Sequence, residues 1–101
     1  MNLEQTNEKL RKEFNELRDF VIQKNIDYNN SLQNPVSVFQ TSKMQGILGR
    51  LDDKLNRIKH AGVNEMTLDT VDDIIGYLIH LKIMININKE ESKEFTKEEN
   101  F

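Results

Sequence analysis

Apolar residues recur at helical spacing in three separate stretches of this chain. Leu3, Leu10, Phe14, Leu17 and Val21 step by seven, four, three and four, which puts them on one side of a helix from about Leu3 to Lys24. Phe20 and Ile22 widen that stripe. Met44, Ile47, Leu48, Leu51, Leu55 and Ile58 mark a second helix, ending near His60. Ser42 is placed to cap its start. Lys59 and His60 fall in its last turn, where cations are favoured, and Gly62 is a natural stop. Leu68, Val71, Ile75 and Leu78 predict the inward face of a third helix, capped by Asn64 and running to about Asn88. Glu65 in its first turn complements the helix dipole.

The stretch "KNIDYNNSLQNP", residues 24 to 35, interrupts the pattern. Its Asn, Asp, Ser and Pro residues favour turns, because short polar side chains bond back to their own backbone. "VSVF", residues 36 to 39, is short and β-branched, and reads as an extended piece that tucks Phe39 into the core. A single proline and few alternating stretches give an all-α class: a small three-helix bundle over residues 1–88. The tail "KEESKEFTKEENF", residues 89–101, is charged and low in complexity, and reads as a frayed extension or a disordered end. "YLIHLKIMINI", in the second half of helix three, is apolar nearly all the way round and must be covered on most sides. Three helices in a domain this small can hardly do that alone. The pattern therefore predicts a homo-oligomer, with this segment at the interface.

At 101 residues the chain has room for one small core. It has no cysteine, which excludes disulfides, thiolate zinc sites and a cysteine nucleophile. His60 and His80 stand alone and give only a weak zinc signal. No GxSxG, phosphate-loop or GxGxxG pattern is present. The net charge is -3, with bases mixed among acids, which argues against a nucleic-acid polymer as partner. It leaves room for a small anion held by a local basic cluster. The start, "MNLEQTNEKLRKEF", lacks the apolar run of a signal peptide. No apolar run approaches the ~18 residues a membrane span needs. The expectation is a cytoplasmic protein with no membrane partner.

Three constellations carry candidate chemistry. "EMTLDTVDDIIGY" places Glu65, Asp69 and Asp73 at every fourth position, within about 80° of one another on the helix surface. Gly76 and His80 project near the same stripe. A charged face opposite an apolar one is normal for a surface helix. However, three carboxylates in series repel, and no Lys or Arg lies between them. Gly76 costs roughly 1 kcal/mol of helix stability against alanine, and leaves room for a ligand or a backbone to approach. Carboxylates on one face suit Mg²⁺, a hard ion that takes oxygen ligands. "RLDDKLNR" gathers Arg50, Asp53, Lys54 and Arg57 on one face. Arginine grips phosphate with two hydrogen bonds and lysine supplies a point charge. The plain alternative is a salt-bridged wet face, unless this face looks at the acidic ladder. "KNIDYNNS" offers Lys24, Asn25, Asp27 and Tyr28, a mixture able to read a nucleobase edge and stack on its face, or simply a polar turn. It is not a calcium loop: Leu32 replaces the turn glycine and Val38 the final glutamate.

In this order and spacing, "KNIDYNNS", "GILGRLDDKLNRI" and "EMTLDTVDDIIGY" resemble the successive motifs of the phage and bacterial nucleotide-modification-associated domain 1 family. The matching positions are Lys24, Asn25, Asp27 and Tyr28; then Arg50, Asp53, Lys54 and Arg57; then Glu65, Asp69, Thr70, Asp73 and Tyr77. Asn29 stands where the family has glycine, and Ile75 where it has a small residue. The helices are also similar to those of the all-α MazG-type pyrophosphohydrolases. Those enzymes hold Mg²⁺ with acids on two neighbouring helices and cleave the α–β phosphate bond with water. Glu65 and Asp69 would match one helix; the other offers Asp52 and Asp53 but no ExxE pair. The resemblance implies a protein that binds a nucleotide or nucleotide-derived small molecule. In a phage setting it would sequester a host nucleotide signal in the host cytoplasm, as an anti-defence device. Arg50, Lys54 and Arg57 would take phosphates, and Asn25, Asp27 and Tyr28 the base or sugar, with Tyr77 close by. Glu65, Asp69 and Asp73 would hold Mg²⁺, orient the cations or accept from ribose hydroxyls. The alternatives are a Mg²⁺-dependent nucleoside-triphosphate pyrophosphohydrolase and a protein-interaction module whose polar faces are solvated surface.

Overall fold

The first helix begins on a reciprocal cap. Asn2 Oδ1 accepts from the Gln5 backbone N–H at 2.8 Å, and the Gln5 side chain accepts from the Asn2 N–H at 3.0 Å. Two donors that the first turn would leave unpaired are thus satisfied. Helix α1 then runs from Leu3 to Asp27. That is three residues beyond the end predicted at Lys24, so Lys24, Asn25 and Asp27 sit on a helix and not in a loop. The chain leaves α1 through Asn29 and Asn30, at φ 52° and 60°. Asparagine tolerates this left-handed region better than most residues with a side chain. The computed structural model describes residues 1–34 and 42–99, with side chains as far as residue 92. The expectation for "VSVF" and Phe39 lies outside the described residues.

Helix α2, Lys43–Ala61, starts where the sequence predicts, with Ser42 accepting from the Gln45 N–H at 3.2 Å. It ends at Gly62, whose φ of 85° with ψ of 179° is open in practice to glycine alone. A single 3₁₀ turn, Glu65–Thr67, follows. Asn64 caps it by accepting from the Met66 N–H at 2.9 Å, and the Thr67 hydroxyl donates to the Gly62 carbonyl at 2.8 Å. These bonds fix the corner between α2 and helix α3, Leu68–Glu99. Helix α3 continues eleven residues past the expected end at Asn88, through the stretch read as a frayed or disordered tail.

The fold is all-α: three helices packed together, with no strand among the described residues. Helix α3 packs mainly on α2 and over a shorter stretch on α1. Among the described residues, the buried apolar ones are Ile47 and Leu51, both on the α2 side. The buried ones of α3 are Thr70, Asp73, Gly76 and His80, with Thr67 in the turn before them. This reverses the expected orientation. Leu68 and Leu78, predicted to point inward, are 60% and 51% exposed, while Val71 and Ile75 are half-buried. One physical reason favours the observed face. Asp73 is needed inside as the partner of lysines on α1 and α2. Gly76 sits against α1, where a Cβ would meet Val21 Cγ2 at 3.4 Å, an ordinary van der Waals contact. The space beside Gly76 is thus taken up by a neighbouring helix.

Further along α3, past the stretch that α1 and α2 cover, apolar side chains stay open. Ile79, Ile83, Ile85 and Ile87 on α3 are exposed, as are Leu10 and Phe14 on α1. The radius of gyration is 17.3 Å, against roughly 13 Å for a compact domain of this length. Among the described residues, no helix is long and apolar enough to cross a membrane.

Candidate functional site

Where the C-terminal turns of α1 meet α2 and α3, they border a half-open cavity of about 360 Å³. Helical spacing supplies its walls. On α1, Phe20 and Lys24 lie four apart on one face, with Val21 and Asn25 beside them. The turn after α1 adds Tyr28, Ser31 and Leu32. Helix α2 contributes Arg50 and Lys54, again four apart. Helix α3 contributes Asp73, Gly76, Tyr77 and His80 from its buried face, and Asp72 from the edge.

Asp73 organises the charges. Its side chain is only 8% exposed, and each carboxylate oxygen accepts from a different lysine. Lys24 reaches Oδ1 from α1, and Lys54 reaches Oδ2 from α2 at 2.9 Å. One carboxylate thus ties all three helices together. Burial alone would raise the Asp73 pKa, but the hydrogen bonds and charges of the two lysines outweigh it and hold the carboxyl below its usual range. Burial likewise pulls Lys24 down, and the hydrogen bond and charge of Asp73, with Tyr28 and Tyr77, together more than reverse it, so the ammonium holds its proton above the ordinary lysine range. Lys24 Nζ also stands 4.9 Å from the centre of the Phe20 ring, a cation–π distance. Arg50 makes no ion pair among the described residues, so its guanidinium is available to an anion in the cavity. Burial raises the Asp72 pKa, and Asp69, Glu13, Asp73 and Glu16 push it the same way. At the inner wall, His80 Nδ1 lies 3.1 Å from Gln33 Nε2.

The structure gathers seven of the residues singled out from the sequence around this cavity: Lys24, Asn25, Tyr28, Arg50, Lys54, Asp73 and Tyr77. Five are placed elsewhere. Asp27 is exposed and accepts from Gln23 Nε2 at 2.9 Å. Asp53 and Arg57 are exposed on α2, outside the lining. Glu65 is in the 3₁₀ turn and Asp69 in the first turn of α3, both exposed. The regular acidic ladder is thus divided: its first two rungs face water and its last is buried among lysines. Among the described residues, no three His, Asp or Glu side chains are grouped to hold a metal ion. Both Asp73 oxygens are already taken by ammonium groups. As placed, the described carboxylates are not grouped to hold Mg²⁺.

Sequence reasoning missed Phe20, Ser31, Leu32 and Asp72 as lining residues. Phe20 had been absorbed into an apolar stripe. His80 carried a usable signal, since it falls seven residues after Asp73 and four after Gly76, on one helix face. Compared with known proteins, the chain matches no family model, no curated protein and no solved structure.

Proposed function

We propose that the cavity binds a nucleotide or nucleotide-derived small molecule and holds it without turnover. The observation that carries this reading is the pairing of cations and rings around one half-open cavity. Lys24, Arg50 and Lys54 converge beside Phe20, Tyr28 and Tyr77. A volume of about 360 Å³ is of the size that takes small organic ligands. The three cations Lys24, Arg50 and Lys54 outnumber the two lining carboxylates, Asp72 and Asp73, so an anion is attracted to the cationic side. Arg50 suits a phosphate's oxygens with its planar fork, and Lys54 adds a point charge. The rings on the α1 and α3 walls suit the flat face of a base. Binding is favoured over pyrophosphate hydrolysis because Glu65 and Asp69 lie away from the cavity, and no acidic triad faces it among the described residues. The motif resemblance points to the same ligand class, and a phage protein that sequesters a host nucleotide signal would need no more than this. The site predicts that Arg50→Ala weakens the binding of ATP or GTP by roughly ten- to a hundredfold in calorimetric titration, the loss of one or two charge-assisted hydrogen bonds. Equal affinity of the variant and the parent would remove Arg50 from the site.

The same reading includes self-association. One observation supports it: the open apolar side chains of α1 and α3. Isoleucines on the second half of α3 would cover one another across a pair of copies, each fully buried side chain contributing about 1.5–3 kcal/mol. Light scattering at micromolar concentration is expected to give a multiple of the 11.9 kDa chain mass. A single-chain mass would show that the exposed faces stay solvated.

A further inference from the structure

His80 is 7% exposed and lies on the face of α3 that carries Asp73 and Gly76. The Gln33 amide nitrogen faces two of its atoms at once: Nδ1 at 3.1 Å and the His80 backbone carbonyl at 3.4 Å. A backbone carbonyl only accepts. The group facing it is therefore the Gln33 NH₂, since the reversed amide would set two acceptor oxygens against each other. That NH₂ also donates to Nδ1, so Nδ1 carries no proton. A charged ring would turn an Nδ1–H against this donor. The ring is held neutral with its proton on Nε2. Burial lowers the His80 pKa in the same sense. His80 lines the cavity and Gln33 does not. Nε2 has no hydrogen-bond partner among the described residues and is not sealed from solvent. The imidazole thus offers the cavity one fixed donor.

Resting on the nucleotide reading above, we propose that His80 Nε2–H selects bases with a carbonyl at purine C6 or pyrimidine C4, guanine and uracil, over those with an amino group at that position, adenine and cytosine. A carbonyl accepts this donor. An amino group would face it donor to donor and leave the N–H without a partner. Asn25, the amide on the opposite wall, can turn to donate or accept and does not discriminate by itself.

The test titrates GTP, ATP, UTP and CTP calorimetrically into the full chain and into two variants. In His80→Gln the amide nitrogen reaches close to the place of Nε2; in His80→Asn it stops near that of Nδ1. The parent is expected to prefer GTP over ATP, and UTP over CTP, by about tenfold, the worth of one hydrogen bond of this kind. His80→Gln keeps the preference and His80→Asn loses it. Equal affinity for all four, with binding intact, overturns this inference and leaves the nucleotide reading standing. Binding of none of the four removes the nucleotide reading and this inference with it. Long-range ¹⁵N–¹H NMR of the parent ring gives a readout independent of any variant's folding. A proton on Nε2 is expected, and a proton on Nδ1 overturns the proposal.

Discussion

Replacing Asp73 with alanine is expected to lower the free energy of unfolding by about 2–3 kcal/mol, measured by urea denaturation. The carboxylate is nearly sealed from water and receives one ammonium from α1 and one from α2. Its removal deletes two charge-assisted hydrogen bonds between elements distant in sequence and leaves two cations close together. Part of the loss is recovered, because Lys24 and Lys54 side chains are 39% and 25% exposed and can turn their ammonium groups towards water. The pH dependence follows from the direction of the Asp73 shift. Its folded pKa lies below the unfolded value of 3.8, so its stabilisation is present above about pH 4. It is lost as pH falls through the depressed folded value. The parent should therefore lose stability in acid more steeply than Asp73→Asn below that pH. Parallel acid profiles would show that the lysine–carboxylate cluster contributes nothing to the fold.

Ile47→Ala is expected to cost about 3 kcal/mol, within the usual range of 2–5 for a buried isoleucine or leucine. Ile47 is 1% exposed, and Leu51, one turn on, is the other buried apolar residue among those described. With so little apolar core, the loss of three carbons at Ile47 is a large part of a stability that is commonly 5–15 kcal/mol. Leu55→Ala, at a position 53% exposed on the same helix, should cost much less. If the two cost the same in the same denaturation series, the α2–α3 contact is not where the apolar stabilisation lies. Exposed residues such as Leu55 would then be buried between copies.

Helix existence and most helix ends were legible in the sequence. Ser42, Gly62 and Asn64 act where short polar side chains and glycine are expected to act, because a cap depends on two to four neighbouring residues. The facing of α3 was not legible. Periodicity ranks faces by hydrophobicity, and here the buried face is Thr70, Asp73, Gly76 and His80. What turns that face inward is Lys24, forty-nine residues before Asp73. That pairing leaves no trace within α3 itself. For the same reason the acidic ladder looked like one unit. Its rungs share a helix face but reach different surroundings, since α1 and α2 cover only the position of Asp73. The aromatic wall was half legible: Tyr28 and Tyr77 stood out as polar rings, whereas Phe20 looked like core.

Capture of small molecules from a cell extract on the intact protein, then denaturation and mass spectrometry of what is released, tests the central claim most directly. An Arg50→Ala, Lys54→Ala double variant runs in parallel. The account predicts that the parent releases an intact phosphorylated compound bearing an aromatic base, strongly depleted on the double variant. Release of the same compounds in the same amounts from both proteins would contradict it.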